Sequence, residues 1–481
     1  EIQQYFIQPD DLAAPYVGEA AFGFRRGVSS RWRALSSNRY SREMRTLIYC
    51  RAKALPDTVA LGTKRDVYRE GYEWATHSMF PTHVDHSMSR ITVGGPACTK
   101  PYSASILNIS AMSYGALSGS AISALNLGAK KGGFYHNTGE GGISQFHALG
   151  AHVVWNVGTG YFACGKTVDG VRTFDPELFE KNATRDFIKM IEIKLSQGAK
   201  PGHGGVLPAA KITPIIADAR GLGAPPYQDC VSPGRHSAFN SVAGLLKFVQ
   251  TCRELSGGKP VGMKMCVGQP HELAAIVHAM LDMGITPDFI TVDGAEGGTG
   301  AAPLEFQNSM GMPLVEGLRL VDSMLVGAGL REQIRIIGSG KVYSGFSLLR
   351  TLAHGADMCN AARSFMFSLG CIQALKCNSN KCPTGITTQN PELTSGLHIS
   401  SKAHRVANFH AATVESALEL VGSLGLNSPG EVSPSLLFRR HSGIHARNLE
   451  HLHAEYFPVI TQVGHPILTC NAPACALYLP L

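Results

Sequence analysis

Eight apolar segments of strand length recur through residues 104–390, and segments with helical periodicity lie between them. This alternation predicts parallel strands joined by helices, and eight units predict an α/β fold of the (β/α)8 TIM barrel type, with a doubly wound sheet as the alternative. Glycine clusters follow the segments, as tight turns at strand ends require. The predicted strands are 105–110, 134–138, 153–157, 190–195, 261–267, 289–292, 334–337 and 358–362.

Three helices are well marked in the later part of the chain. Pro270 suits the first turn of one helix, and Gly284 follows its end. The helix predicted at 402–424 has apolar residues at helical spacing, and Gly425 follows its last turn. This pattern indicates a helix that packs on the protein rather than a binding surface. The predicted helices are 270–283, 345–354 and 402–424.

The positions of these elements divide the chain into three parts. We expect an N-terminal extension packed on the barrel (1–103), a barrel domain that includes a cysteine loop at 371–383 (104–390), and a C-terminal helical extension (391–481). The N-terminal extension carries arginines near its beginning and shows no regular pattern, so we expect it to be irregular over about its first 100 residues.

The composition limits the class of protein and its partners. Apolar residues make up 44% of the chain and charged residues 16%, which is typical of a globular protein with a large core. Lys and Arg number 43 against 36 Asp and Glu, a net charge of +7, but they are scattered, so no nucleic-acid surface is expected. A mild positive field suits an anionic substrate or an acidic protein partner.

The cysteines and the first residue bear on the compartment. The 12 cysteines show no secreted disulfide framework, and no apolar run reaches membrane-spanning length, so we expect a cytoplasmic protein. The first residue is Glu1 rather than methionine, so a membrane anchor or targeting segment upstream stays an open alternative.

Three cysteines follow the eighth predicted strand in close succession. Cys371, Cys377 and Cys382 have the spacing C-x5-C-x4-C, and Pro383 comes next. Thiolates this close in sequence converge and suit zinc or an iron–sulfur cluster. Three ligands imply a cluster with one iron missing, a fourth ligand from elsewhere, or no metal at all, with the cysteines packed as small apolar side chains.

Glycines and charged residues follow almost every predicted strand. In a barrel the active site lies at these carboxyl ends of the strands. Glycine-rich turns after strands seven and eight can offer N–H groups to a phosphate, and lysines at strand ends can stabilise a reduced flavin. The alternative, that the glycines only turn the chain, does not explain so many aligned ends. The turns are 111–115, 139–142, 197–205, 293–300, 338–341 and 361–363.

One motif points to a different chemistry and is rejected. Residues 160–167 match the P-loop pattern G-x4-G-K-T. A P-loop leads directly into a helix, whereas Val168-Asp-Gly-Val follows here without helical spacing. We therefore expect no ATP site at this segment, and we find no G-x-G-x-x-G motif that would indicate a nicotinamide-binding Rossmann unit.

Together these motifs resemble the flavin domain of the glutamate synthase family. The resemblance rests on A-M-S-Y-G, G-E-G-G, Q-G-A-K-P-G, G-G-T-G-A and the cysteine spacing, in that order, over about 104–390. It is similar in particular to the stand-alone, single-domain members of the family, some of which carry an N-terminal membrane anchor. The resemblance implies a (β/α)8 barrel with FMN and a [3Fe–4S] cluster held by Cys371, Cys377 and Cys382.

The resemblance also implies roles for individual residues. Glu140 and Lys200 would be catalytic, with Glu140 at the ammonia entry assisting proton transfer. Lys200 and Arg220 would hold the two carboxylates of 2-oxoglutarate, a charge match that suits a dianion. FMN would be contacted by Ser113, Tyr114, Gly141, Gln197, Lys264, Gly298, Gly340, Lys341, Ala362 and Arg363.

The implied reaction is the reduction of 2-iminoglutarate, formed from 2-oxoglutarate and ammonia, to glutamate. The chain shows no amidotransferase cysteine at its beginning and no pyridine-nucleotide domain. We therefore expect ferredoxin or another electron-donor protein as a partner, an ammonia-supplying subunit or free ammonia, and a homo-oligomer.

Three residues near the substrate depart from the pattern of the family. Val206 stands where glutamine is common, His203 where an acid is usual, and Asn156 where a glutamine is familiar. These changes leave two alternatives open. One is an FMN-dependent synthase or dehydrogenase of another amino acid such as N-methylglutamate, and the other is a non-catalytic electron-relay subunit.

Overall fold

The computed structural model describes residues 40–58, 62–442 and 444–454. Its centre is a closed barrel of eight parallel strands, which confirms the predicted TIM barrel. Each strand overlaps a predicted segment. The strands are β1 (Leu107–Ile109), β2 (His136–Asn137), β3 (Val153–Val157), β4 (Ile188–Lys194), β5 (Val261–Met265), β6 (Phe289–Asp293), β7 (Arg335–Ser339) and β8 (Met358–Ala361).

The barrel closes because neighbouring strands pair in sequence order, and β8 pairs with β1 through Asn360 opposite Asn108. Both faces of the strands are covered, so all five residues of β3 and all five of β5 are buried. Trp155 of β3 stacks on Phe179 of the helix Pro176–Ala183, with ring centroids 5.1 Å apart. The strands thus form a packed core, and their carboxyl ends present side chains at one mouth.

The helices begin and end where local chemistry dictates. The predicted helix 270–283 is confirmed as Pro270–Met283, which ends at Gly284 in the left-handed region (φ 64°). The helix predicted at 402–424 is Ile399–Ser423. The others are Arg42–Ala52, Gly119–Gly132, Pro176–Ala183, Pro214–Arg220, Val242–Leu255, Leu304–Ser309, Leu314–Gly327, Gly345–Ala353, Arg363–Leu369, Pro391–Thr394 and Leu449–Ala454.

The expectation of an irregular N-terminal part is wrong for the residues described. Arg42–Ala52 is a helix because Ser41 caps it, accepting a hydrogen bond from the Met44 amide, and Glu43 lies in its first turn. The strand Glu73–Ala75 pairs antiparallel with Leu437–Ser442, which continues into a hairpin with His445–Asn448. The C-terminal part therefore adds a small sheet to its predicted helices. The arginines before Tyr40 lie outside the described residues.

The remaining strands are short and border the barrel: Arg90–Val93, Tyr102–Ser105, Gly165–Val168, Val171–Phe174, Val206–Leu207 and Cys230–Val231. Single turns of 3-10 helix occupy His86–Ser89, Gln145–His147, Ala209–Lys211, Pro429–Glu431 and Pro434–Leu436. Within the described part of the chain, no helix combines the length and the apolar character that a membrane span needs.

Candidate functional site

A carboxylate surrounded by cations lies at the mouth of the barrel. Glu140 follows β2, and its Oε2 atom is 2.9 Å from Nζ of Lys194, the last residue of β4. Arg220 and Lys200 also act electrostatically on Glu140. Burial opposes ionisation of Glu140, but the nearby Lys194 ammonium, helped by Arg220 and Lys200, outweighs burial and lowers the pKa of the carboxyl.

Two glycines hold the Glu140 side chain in a narrow space. A Cβ atom at Gly158 would lie 2.8 Å from Cβ of Glu140, and one at Gly205 would lie 2.5 Å from its Oε1. Any larger residue at either position would displace the carboxylate, so the loops after β3 and β4 need glycine here.

The two predicted substrate cations lie beside this carboxylate. Lys200 is 2% exposed, and its Nζ donates to the carbonyl of Gly204 at 2.6 Å. Burial lowers the pKa of Lys200; Glu140 raises it in part, and Lys194 lowers it again. Arg220 is 4% exposed and donates to the carbonyl of Tyr114 at 3.2 Å, while its Nε atom has no hydrogen-bond partner among the described residues.

A second charged group lies at the ends of β5 and β6. Lys264 Nζ is 3.3 Å from Asp293 Oδ2, and the same oxygen accepts a hydrogen bond from the amide of Gly198 at 3.0 Å. Burial alone lowers the pKa of Lys264, but Asp293 and then Glu192 outweigh it, so the pKa is raised and the lysine stays charged. The predicted Gln197 immediately precedes Gly198 in this loop.

Lys341 and Arg363 form a third group, after β7 and β8. Lys341 is in the left-handed region with φ 50°. Burial and, to a smaller extent, the Arg363 guanidinium lower the pKa of Lys341 to about 8, although Glu296 opposes them. Arg363 follows Ala362 and donates to the carbonyl of Glu296. An anion bound beside Lys341 and Arg363 would favour the charged form of the lysine.

The remaining predicted flavin residues occupy the turns around these groups. A Cβ atom at Gly141 would lie 2.8 Å from the Tyr114 carbonyl oxygen and 2.9 Å from Ser113 Cβ, so the turns after β1 and β2 are in contact. The Tyr114 ring packs edge-on against Phe146, so only its backbone faces Arg220. Two further glycines, Gly298 and Gly340, approach Arg363 and Glu296 respectively.

Cys371, Cys377 and Cys382 line one pocket with an empty volume of about 250 Å3, part of it open to solvent. Burial raises the pKa of Cys371 to about 12. Burial also acts to raise the pKa of Cys382, but hydrogen bonds, the strongest with Thr384, outweigh it and lower that pKa. Among residues 40–58, 62–442 and 444–454, no three His, Cys, Asp or Glu side chains are grouped to hold a metal ion.

The cysteine pocket touches the mouth of the barrel at two places. A Cβ atom at Gly300, in the loop after β6, would lie 3.0 Å from Cys377 Cβ. Lys211 Nζ donates to the carbonyl of Ala116 at 2.8 Å and to that of Cys377 at 3.2 Å. The cysteine loop is thus joined to the turns after β1 and β6.

Sequence analysis missed two charged residues of this mouth, Lys194 and Glu192. Glu192 is 1% exposed and accepts hydrogen bonds from Asn137, Asn156 and Thr291 at 2.8, 2.6 and 2.8 Å. Both residues belong to β4, two positions apart, so they point to the same side of the strand. Charges alternating within an otherwise apolar strand were the signal that could have identified them.

Comparison with known proteins places these features in context. A family model described as the conserved region in glutamate synthase matches residues 78–427. The glutamate synthase large subunit-like protein YerD of Bacillus subtilis is 38% identical over 385 residues, which cover 79% of this chain and 72% of that protein. The archaeal glutamate synthase [NADPH] of Methanocaldococcus jannaschii is 33% identical over 71% of this chain and 63% of its own length.

Among solved structures, mandelate oxidase with (S)-2-phenylpropionate superposes with a TM-score of 0.44 and 13% identity, covering 78% of this chain and 86% of that one. A likeness at this level carries no argument. This chain spans less than two thirds of the archaeal relative.

Proposed function

This chain belongs to the glutamate synthase family, and from that premise we propose that it is an FMN- and iron–sulfur-dependent oxidoreductase that reduces 2-iminoglutarate to glutamate. The observation that carries the proposal is the convergence of Lys194, Lys200 and Arg220 on Glu140 at the barrel mouth. Three cations against one carboxylate leave an excess of positive charge, which suits a dicarboxylate such as 2-oxoglutarate.

The charged groups at the strand ends fit FMN. Lys341 and Arg363 repel each other, and a phosphate would relieve that repulsion while accepting hydrogen bonds from both. Lys264, kept charged by Asp293, would face the ring. The other contacts proposed are Ser113, Tyr114, Gly141, Gln197, Gly298, Gly340 and Ala362. FMN, when bound, supplies hydride to the imine.

The cysteine pocket fits a [3Fe–4S] cluster in its donor set. The thiols of Cys371, Cys377 and Cys382 line one pocket, and each would bind a different iron of a cluster, so they need not surround one point as the ligands of a single ion must. Contact between Gly300 and Cys377 supports electron transfer from this pocket to the mouth. Lys376 and Lys381 are exposed on the same loop, which suits an acidic donor such as ferredoxin.

The protein's own side chains would position the substrate and move its protons. Lys200 and Arg220 would bind the two carboxylates, with Arg220 Nε free to donate. Glu140, kept ionised by Lys194, would accept hydrogen bonds from ammonia at the entry, orient it toward the 2-oxo carbon, and relay the protons exchanged as ammonia adds and water leaves. The carboxylate packs against Gly158 and Gly205, so glycine at both positions gives it the space it occupies.

The direct test supplies reduced ferredoxin, ammonia and 2-oxoglutarate to the anaerobically purified protein and measures glutamate. We expect glutamate with the natural protein and at least a hundredfold less with Lys200→Met. Phe187→Leu, at the opposite end of β4, is the matched control. The proposal fails if the natural protein carries flavin and cluster yet forms no glutamate and shows no flavin reoxidation.

A second candidate is an FMN-dependent synthase or dehydrogenase of another amino acid, such as N-methylglutamate. It is favoured by the residues in the loop beyond Lys200: the His203 ring packs edge-on against Phe306 at 5.6 Å, and Val206 is paired with Val231. These apolar and aromatic groups suit an N-alkyl substituent better than a bare amine. A higher rate of flavin reoxidation with methylamine than with ammonia would support this candidate.

A further inference from the structure

The segment that imitates a P-loop packs against the substrate cations instead. Residues 160–174, here called the hairpin segment, form a loop and two antiparallel strands, Gly165–Val168 and Val171–Phe174. Two of its loop residues, Tyr161 (φ 45°) and Ala163 (φ 68°), are in the left-handed region. Residues with a side chain adopt this conformation rarely, and it persists only where surrounding contacts enforce it.

Tyr161 reaches Lys194 through a histidine. The Tyr161 hydroxyl is 2.9 Å from His236 Nδ1 and accepts the amide of Ala238 at 3.1 Å, and His236 Nε2 is 2.9 Å from the carbonyl oxygen of Lys194. A carbonyl only accepts, so Nε2 carries the proton and Nδ1 accepts from the tyrosine. The chain of hydrogen bonds holds the end of β4, from which the Lys194 side chain extends to Glu140.

Phe162 supports the other cation. Its ring contacts two guanidinium groups, with the ring centroid 4.9 Å from Cζ of Arg220 and 5.4 Å from Cζ of Arg172. Arg172 donates to the carbonyl of Gly160 at 2.7 Å and to that of Gly221 at 3.0 Å. Gly221 ends the helix that carries Arg220, so the hairpin segment holds both the loop and that helix end.

The glycines of the false motif serve this packing. A Cβ atom at Gly160 would lie 2.9 Å from the tip of the Phe162 ring, and one at Gly165 would lie 2.6 Å from Tyr161 Cβ. The G-x4-G spacing is therefore required by two inward-facing aromatic rings and not by a phosphate.

We infer that Tyr161 and Phe162 are positioning residues, which hold Lys194 and Arg220 in the arrangement that receives an anionic substrate. The inference rests on the proposed function only for the identity of that substrate. Phe162 fixes the plane of the Arg220 guanidinium, and Tyr161 fixes the backbone from which Lys194 projects.

The test compares Phe162→Leu and Tyr161→Phe with a matched control, Phe187→Leu, which removes a ring 5.4 Å from the Arg185 guanidinium just before β4, away from the mouth. Calorimetric titration of the full protein with 2-oxoglutarate should show Kd raised about tenfold by Phe162→Leu, because a desolvated cation–ring contact to Arg220 is lost. Tyr161→Phe should raise Kd about threefold, because the hydroxyl that it removes makes two hydrogen bonds but reaches Lys194 only through His236.

A second readout needs no substrate. Phenylglyoxal modification of Arg220, followed by peptide mass spectrometry, should be several times faster in Phe162→Leu than in the natural protein and in Phe187→Leu. Faster modification with no 2-oxoglutarate binding by any form would retain the positioning role and reject the proposed substrate. Equal modification rates in Phe162→Leu and Phe187→Leu would overturn the positioning role, whatever the titration shows.

Discussion

Replacing Lys194 by methionine keeps most of the length of the side chain but removes the ammonium 2.9 Å from Glu140 Oε2. The carboxylate still packs against Gly158 and Gly205. Breaking a buried ion pair on one side costs about 3–5 kcal/mol. Since Arg220 and Lys200 remain nearby, we expect the lower value, about 3 kcal/mol, in the free energy of unfolding.

The pH dependence of this cost follows from the direction of the pKa shift. In the natural protein the pKa of Glu140 is lowered, so its stabilisation is present above the unfolded value of about 4.3 and is lost as pH falls through the lower folded pKa. Without Lys194, burial is the largest influence and raises the pKa. The ionised carboxyl then opposes folding at pH 8, and the penalty relative to the natural protein shrinks as pH falls to 5.

Denaturant unfolding of a double-mutant cycle measures the coupling. Lys194→Met, Glu140→Gln and the double variant are compared at pH 5 and pH 8. We expect the double variant to be more stable than Lys194→Met by about 2 kcal/mol at pH 8, because no uncompensated carboxylate remains. A penalty for Lys194→Met that is equal at both pH values, or a double variant no more stable than it, would refute the reasoning.

Three further predictions concern the cofactor sites and the barrel core. Burial and Arg363 lower the pKa of Lys341 to about 8, so the ammonium loses its charge as pH rises through that value. The Kd for FMN, measured by fluorescence quenching, should therefore rise between about pH 7.5 and 9.5. Lys341→Arg should remove that rise. After anaerobic reconstitution, Cys377→Ser should retain no iron and show no broad visible absorbance, whereas Cys359→Ser should resemble the natural protein. Equal iron content in the two variants would count against the cluster. Glu192→Gln removes the charge that strengthens three buried hydrogen bonds and replaces one of the two acceptor oxygens by a donor. It should lower the free energy of unfolding by about 1–3 kcal/mol, which thermal unfolding of the apoprotein would detect.

The barrel was predictable from the sequence because its signals are local. Each strand is a short apolar run and each turn a glycine cluster, so the order of elements follows without knowledge of distant contacts. The roles of the glycines were less accessible. Gly198 is required because a Cβ atom would lie 1.8 Å from the carbonyl oxygen of Gly294, almost 100 residues later in the chain. Such close approach depends on the closed barrel and leaves no trace in the neighbouring sequence.

Charged residues inside strands show the same division between local and distant information. Glu140 and Lys200 follow strands in conspicuous glycine-rich turns, and both were predicted. Lys194 lies within an apolar run, and the carboxylate that it meets comes from a turn two strands away in the chain. The helix Arg42–Ala52 was missed for another reason: its cap at Ser41 is a single residue within a polar segment.

The two ends of the barrel differ in how fully the protein satisfies their buried charges, and this difference helps to separate structural charges from functional ones. At the amino ends of the strands, Asp288 accepts from the amides of Gly95 and Val261, both at 2.7 Å, and from Arg253 at 3.1 and 3.0 Å. Both of its oxygens are engaged by fixed protein donors. A carboxylate satisfied in this way stabilises the fold and has no further capacity to bind.

The opposite mouth is arranged differently. Glu140 has a single direct ion-pair partner although three cations act on it, and Arg220 keeps a buried Nε without a partner among the described residues. A buried donor left unsatisfied costs about 1–3 kcal/mol, and an acceptor bound at the mouth would remove that cost. A carboxylate of the substrate is such an acceptor. Calorimetry with Arg220→Lys, which keeps the charge but removes the Nε donor, should therefore show weaker 2-oxoglutarate binding, and unchanged binding would remove the argument that this end of the barrel is the site.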